Sequence, residues 1–337
     1  MTTTNTVVLF RREPRGLPRV NDFEIVERPL PALGPGQFLI RNLFLSLDPY
    51  MRMRMGGGWT YAGAPLIPGS VMVGRVLGEV VESNNADFAT GAHVVGRLGW
   101  QTHAVSDGSD LDFVVRPPDG VPLSAYLGAC GSTGATAWVG LKVVGGVKPE
   151  DTVAVSAAAG SVGSAVGQIA KATGCRVVGI AGGPEKCRVV TEEFGFDACC
   201  DYKAPDLGRQ LEEAAPDGID LYYDNVGGEV LDTVLPRLNR GARVPVCGVL
   251  SRYNPDGAPY GLINTHLIFD KSLSIEGFVL SGHTDKWDTA RAELEDLVAS
   301  GRLKYRETIA EGMANAPTAF IGLLQGKNIG KQLVRLA

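Results

Sequence analysis

Ser156-Ala157-Ala158-Ala159-Gly160-Ser161-Val162-Gly163-Ser164-Ala165-Val166-Gly167 closes the short apolar run Val153–Ser156 and opens a helical stretch that reaches Ala172. A strand, a glycine-spaced turn and a helix in this order form a dinucleotide-binding fingerprint, with Ala158 where the first glycine is usual. Each residue type has a physical purpose. Gly160 lets the backbone approach a pyrophosphate, and Gly163 allows close packing of helix on strand. The helix N-terminus, at Ser161 and Val162, supplies N–H donors and the positive end of the dipole.

The turn gains specificity from its surroundings. Downstream follow a strand over Arg176–Ile180, a helix from Pro184 that ends before Gly195, and a brief strand at Ala198–Cys200. Then come a helix over Leu207–Ala215, a strand over Ile219–Tyr223, a helix over Val230–Leu238, strands over Ala242–Cys247 and Leu273–Val279, and a last helix over Lys286–Ala299. Strands alternating with helices of this length predict parallel βαβ units and an α/β fold with a doubly wound sheet. Before Pro122 the pattern differs: short β segments at Gln37–Leu45, Val71–Val81, His93–Arg97 and Phe113–Val115 are divided by Gly, Pro, Asn and Asp turns. This part reads as a small β or mixed domain. A short tail after Ala299 leads back toward it.

The end of the second strand of the α/β part selects the cofactor. A chain that binds NAD places Asp or Glu there, about 20 residues beyond the glycines, to hold the ribose 2′-hydroxyl. Here the segment reads Gly179-Ile180-Ala181-Gly182-Gly183, followed by Lys186 and Arg188. A missing carboxylate and an added cation favour NADP(H), although Lys186 also suits a solvated first helical turn.

Composition excludes several classes. Of 44 glycines in 337 residues, 20 lie between Val121 and Leu250, where the backbone most needs tight turns or close approach. The net charge of −5 and the absence of a basic run argue against nucleic-acid binding. Arg11, Arg12, Arg15 and Arg19 fit a solvated loop. Gly120–Leu141 and Thr152–Ala170 are free of charge but rich in Gly, Ser and Ala, which suits buried segments better than membrane spans. Met1–Phe10 lacks a secretory pattern, so a soluble cytoplasmic protein is expected. The six cysteines form no CxxC pair and the four histidines no HxxxH or HExxH, so reduced thiols and no metal centre are expected.

Six motifs in order resemble one family. They are Leu45-Ser-Leu-Asp-Pro-Tyr50-Met-Arg52, Gly131-Ser-Thr-Gly-Ala-Thr136-Ala-Trp138, Ala157–Gly163, Asp224-Asn225-Val-Gly-Gly228, Cys247-Gly-Val-Leu-Ser-Arg-Tyr253-Asn254 and Gly326-Lys-Asn328-Ile-Gly-Lys331. Together they resemble the zinc-independent double-bond reductases of the medium-chain dehydrogenase/reductase superfamily: the leukotriene B4 dehydrogenase/prostaglandin reductase, alkenal reductase and curcumin reductase group. Where the superfamily's zinc enzymes carry Gly-His-Glu, this chain has Gly69-Ser70-Val71. Lacking those ligands, the chain is not expected to activate an alcohol by Lewis-acid catalysis.

The resemblance implies a GroES-like β domain formed by both chain ends (1–125 and 302–337) and a Rossmann-type NADP-binding domain (126–301). It implies hydride transfer from NADPH to the β-carbon of an α,β-unsaturated ketone or aldehyde, with protonation at the α-carbon. A tyrosine hydroxyl suits the developing enolate. Tyr253 is the first candidate, as proton donor or as a residue that positions the cofactor, and Tyr50 is the second. By the same resemblance Lys186 and Tyr202 hold the 2′-phosphate and adenosine side. Ala158, Gly160, Ser161, Val162, Gly163, Gly182, Asn225, Cys247, Gly248, Phe278, Leu280 and the tail residue Asn328 line the cofactor. Arg52, as a cation for an anionic substrate group or as an exposed structural ion-pair partner, joins Tyr50, Trp59, Thr136 and His283 around the substrate. Ser281-Gly282-His283 departs from the aromatic and acidic residues that relatives carry there. A homodimer is expected from the resemblance alone. Two further readings stay open: an NADPH quinone oxidoreductase, and a cofactor-binding protein without catalysis.

Overall fold

Runs of β-branched and aromatic residues broken by glycine turns give fifteen strands among the described residues, which are 4–56, 60, 61, 63–254, 258 and 260–336 of a computed structural model. In chain order they are β1 (Thr4–Phe10), β2 (Phe23–Pro29), β3 (Phe38–Ser46), β4 (Val76–Ser83), β5 (His93–Gly96), β6 (His103–Ser106) and β7 (Leu111–Val115). Next come β8 (Thr152–Ser156), β9 (Arg176–Ala181), β10 (Ala198–Asp201), β11 (Ile219–Tyr223), β12 (Leu238–Val246) and β13 (Ser274–Gly277); β14 (Glu307–Glu311) and β15 (Lys331–Arg335) close the series. The chain divides into two units, one built from residues up to Gly128 and from Glu307 onward, the other from Ala129–Arg306.

In the first unit β1 and β2 form an antiparallel ribbon, and a second sheet runs β14-β15-β3-β4-β5-β7, with β6 paired to β3. The tail strand β15 lies antiparallel to β3 and parallel to β14. Phe10, Phe23, Phe38, Ile40, Met51, Trp100 and Phe320 fill the core. The Trp100 ring stacks on Phe23 and meets Phe320 edge-on, the arrangement that aromatic quadrupoles favour. Strand β4 starts at Val76, later than the apolar run from Val71 predicts. Before it the chain bonds piecemeal: the Met72 amide donates to Val8 O at 2.9 Å and Met72 O accepts the Trp100 amide at 2.8 Å, while a Cβ on Gly74 would stand 2.8 Å from Leu45 Cδ1.

The second unit contains one parallel sheet, ordered β10-β9-β8-β11-β12-β13. This is the doubly wound sheet that the alternation of elements predicts. The order reverses between β8 and β11, and open α/β sheets bind ligands outside the carboxyl ends of their strands at such a point. Helix Ser161–Thr173 buries Ala165, Val166, Ile169 and Ala170. Phe196 packs onto Gly167 so closely that a Cβ there would lie 1.9 Å from the ring. Among the described residues no helix is long and apolar enough to cross a membrane.

Candidate active site

The chain leaves β8 at Ser156 and turns through Ala157, whose φ of 52° lies in the left-handed region. Gly160 precedes helix Ser161–Thr173, and the first-turn amides of Ser161, Val162 and Gly163 have no acceptor within their own helix. A Cβ on Gly163 would lie 2.4 Å from the carbonyl oxygen of Ala157, so only glycine lets the helix start this close to the turn. Ala158 fits in place of the usual first glycine because Gly179 faces it: a Cβ on Gly179 would sit 2.9 Å from that of Ala158. The bare turn and its amides fit the pyrophosphate of a dinucleotide.

Beside the turn, β9 ends at Ala181 and the chain bends through Gly182 and Gly183. The Gly183 amide donates to Asp201 Oδ1 at 2.7 Å, which ties this bend to the end of β10. Tyr202 packs on Gly182. Lys186 is half-buried in the short helix Pro184–Arg188, and burial, then the positive charge of Lys203, pulls its pKa below the ordinary lysine value. Two ammonium groups that destabilise one another gain from an anion. This supports a phosphate rather than a ribose hydroxyl at the bend.

On the other side of the switch point, Asn225, Gly248 and Tyr253 converge. Asn225 is buried and bonds Ser156 through both its amide nitrogens. The Gly248 amide donates to the Asp224 carbonyl, and an ideal Cβ on Gly248 would lie 3.3 Å from Asn225 O and 3.6 Å from Tyr253 Oη. Tyr253 is buried after the turn Leu250–Arg252. The Cys247 thiol is pushed up to about 12 by burial, against its hydrogen bonding with Tyr223 and with the Asp224 charge adding to the rise. Phe278 packs edge-on against Tyr223 and His283, with ring centroids 6.3 and 6.4 Å apart. Leu280 is partly buried two residues further on. Thr136 is partly buried, spends its hydroxyl on Ser132 O at 2.7 Å, and accepts the Tyr223 hydroxyl on its own carbonyl at 2.9 Å.

In the first unit, Tyr50 opens the short helix Tyr50–Arg54 after Asp48-Pro49. Burial and the Asp48 charge push its phenol up to about 12, with Arg75 opposing. Arg75 is held in turn by Asp112 at 2.6 Å. Asp48 is anchored by the Ser46 hydroxyl and by the buried Lys331 ammonium, which also reaches Leu47 O at 3.3 Å. The lead-in to the tyrosine is thus tied to the tail strand β15. Arg52 is buried, not exposed, and its guanidinium donates to Gly16 O at 2.9 Å and Pro14 O at 3.4 Å, with Glu13 and Asp22 nearby. Asn328 is buried and donates to Gly330 O at 2.7 Å. Trp59 lies outside the described residues. Among the described residues no three His, Cys, Asp or Glu side chains are grouped as metal ligands.

Two family profiles match, one described as the N-terminal domain of oxidoreductase over residues 7–114, the other as zinc-binding dehydrogenase over residues 161–296. NADPH-dependent curcumin reductase of Escherichia coli is 45% identical over 331 residues, covering 96% of this chain and 94% of that one. The chain belongs to the zinc-independent medium-chain dehydrogenase/reductases. Prostaglandin reductase 1 of Sus scrofa is 41% identical, with 95% of each chain covered. The NADP-dependent 2-alkenal reductase of Nicotiana tabacum is 37% identical, with 99% of this chain and 98% of that one covered. The crystal structure of CurA from Vibrio vulnificus in complex with NADPH has a TM-score of 0.92 and 40% identity, over 98% of this chain and 99% of that one. A quinone oxidoreductase from Pseudomonas syringae shares the medium-chain fold alone, at 24% identity and a TM-score of 0.78.

Within this medium-chain framework several residues were not legible as site components. Ser156 and Asp224 lie at strand ends and bond across the sheet, Tyr223 at the end of β11 bonds Thr136 in helix Ser132–Trp138, and Lys203 sits by Lys186. A signal for Asp224 exists in the sequence: an acid directly after the apolar run Ile219–Tyr223 and before Asn225-Val-Gly-Gly. Nothing local marks Tyr223 as more than a strand residue.

Proposed function

We propose that this protein reduces the C=C bond of α,β-unsaturated ketones or aldehydes with NADPH. The carrying observation is the buried Tyr253 phenol beyond the carboxyl end of β12, so near Gly248 that a Cβ there would lie 3.6 Å from its oxygen. Relatives named for curcumin, prostaglandin and 2-alkenal reduction support the acceptor class. Bound NADPH supplies the hydride that reaches the β-carbon. The turn from Ala158 to Gly163 holds the pyrophosphate, Lys186 and Tyr202 with Gly182 hold the 2′-phosphate end, and Asn225, Cys247, Gly248, Phe278 and Leu280 line the path beyond the switch point. Tyr253 donates a hydrogen bond to the carbonyl oxygen as it gains negative charge, or orients the cofactor for it, and Tyr50 is the second donor. Thr136 and His283 border the substrate. Asn328 steadies the tail near the cofactor, and Arg52 holds the N-terminal segment in place.

The discriminating experiment follows NADPH consumption with an aliphatic enal, an aryl enone and a quinone, with the product identified. Saturated carbonyl product from the enal or enone is expected. Turnover of the quinone alone would replace this reading with quinone oxidoreduction. Binding of NADPH without any turnover would leave a non-catalytic binder.

The same reading includes a homodimer in the cytoplasm. Strand β13 is the exposed edge of its sheet, and exposed Phe269, Ile263 and Ile275 in and just before it suit pairing with a second copy. The six cysteines are all unpaired, as a reducing compartment keeps them.

A further inference from the structure

We infer that Ser156 is a positioning residue which, with Asp224, braces the sheet across its switch point and so couples the two halves of the dinucleotide site. This rests on the NADPH reading given above. Ser156 ends β8 and Asp224 follows β11; both are fully buried, and the two strands flank the reversal of strand order. The Ser156 hydroxyl donates to Asp224 Oδ1 at 3.2 Å and accepts the Asn225 backbone amide at 2.8 Å, while Ser156 O accepts Asn225 Nδ2 at 2.7 Å. Asp224 Oδ1 also accepts the Tyr222 hydroxyl at 2.9 Å and the amides of Val226 and Gly227, each at 3.0 Å. Asp224 Oδ2 has no hydrogen-bond partner among the described residues. One carboxylate oxygen therefore gathers four donors, two of them the amides that lead into helix Gly228–Val234.

The consequence follows from where these atoms sit. Ser156 immediately precedes the glycine turn, so the phosphate side begins at the side chain that fixes Asn225. The Asn225 carbonyl in turn accepts the Leu250 amide at 3.2 Å, which carries the register on to the turn that holds Tyr253. The 2′-phosphate end, at Gly182, Lys186 and Tyr202, is anchored separately through Asp201. Loss of the Ser156 hydroxyl should loosen the Asn225 side and leave the adenosine side intact.

Calorimetric titration of wild type, Ser156→Ala and Asp224→Asn with NADPH and with adenosine 2′,5′-bisphosphate tests this. Ser156→Ala is expected to bind the bisphosphate within about twofold of wild type and NADPH about tenfold more weakly, the scale of one buried hydrogen bond left unmade. Asp224→Asn removes the charge that gathers the four donors and puts an NH2 in the place of the unpartnered Oδ2, so it is expected to follow Ser156→Ala: NADPH bound about tenfold more weakly, the bisphosphate within about twofold of wild type. Equal losses for the two ligands in either variant, or no loss for NADPH in either, would overturn the brace. Binding is read without an enone, so failure of the reductase reading leaves this result standing. Wild type that binds neither ligand would overturn the cofactor reading and the brace with it.

Discussion

The phenol ring of Tyr202 lies against the bare Cα of Gly182: a Cβ there would stand 2.8 Å from the ring's Cε1. The bend after β9 is therefore filled by a neighbour's side chain, at the position where an NAD-binding chain carries a carboxylate. Gly182→Asp would displace the ring and set a negative charge beside Lys186. We expect NADPH affinity to fall while NADH affinity holds or rises, measured as dissociation constants for the two cofactors.

Lys186 gives a quantitative companion to that expectation. A charge-assisted hydrogen bond contributes about 1.5–3 kcal/mol, so Lys186→Met should weaken NADPH binding roughly 10–100-fold. NADH should be nearly indifferent. With its pKa depressed by burial and Lys203, the ammonium loses its charge earlier than an ordinary lysine as pH rises. NADPH binding by wild type should then weaken on the alkaline side, while that of Lys186→Met stays flat.

The two tyrosines are separable by kinetics. Tyr253→Phe should lower kcat roughly 100-fold if the phenol serves the reacting oxygen, and should raise KM for NADPH if it only places the cofactor. Tyr50 has its pKa raised to about 12 by burial and the Asp48 charge. It therefore keeps its proton throughout the working range, and an alkaline fall in kcat below about pH 11 would not be its titration. Persistence of such a fall in Tyr50→Phe would confirm this.

Lys331 and Asp48 form a buried pair at the base of the Tyr50 helix. Breaking such a pair from one side strands a charge, and Lys331→Met should cost about 3–5 kcal/mol in urea unfolding. The double variant Lys331→Met/Asp48→Leu should recover part of that loss, because neither charge is then left alone. Equal losses in the single and double variants would show that the site tolerates no apolar replacement.

Strand β13 supplies the test of assembly. Ile275→Lys places a charge on the exposed edge and should yield a monomer by analytical ultracentrifugation, with NADPH still bound. An unchanged sedimentation coefficient would place the contact elsewhere.

Much of this protein is legible without coordinates, for reasons visible at particular residues. The turn at Ala157–Gly163 and the absence of an acid at Ala181-Gly182-Gly183 are local features. They depend on what one short backbone segment can adopt and approach. The β/α alternation from Thr152 onward is local in the same sense, and so the sheet follows from it. Strands β1 and β2 are less legible: Val7–Phe10 is a short apolar run with no alternation, Glu24, Glu27 and Arg28 interrupt Phe23–Pro29, and the two show as a ribbon only through their pairing. The proposed cation Arg52 has its charge set among the carbonyls of Pro14 and Gly16, 36 or more residues away in the chain.

Sequence alone determined the doubly wound class, the dinucleotide turn, the preference for a phosphate over a ribose hydroxyl, and the family. Tertiary structure alone decided that Ser156 meets Asp224 across 68 residues, that Tyr223 bonds Thr136 across 87, and that Lys331 neutralises Asp48 across 283. Turn chemistry and periodicity are properties of neighbours along the chain. A buried hydrogen bond between distant residues depends on which strands become adjacent, and no local pattern records that choice.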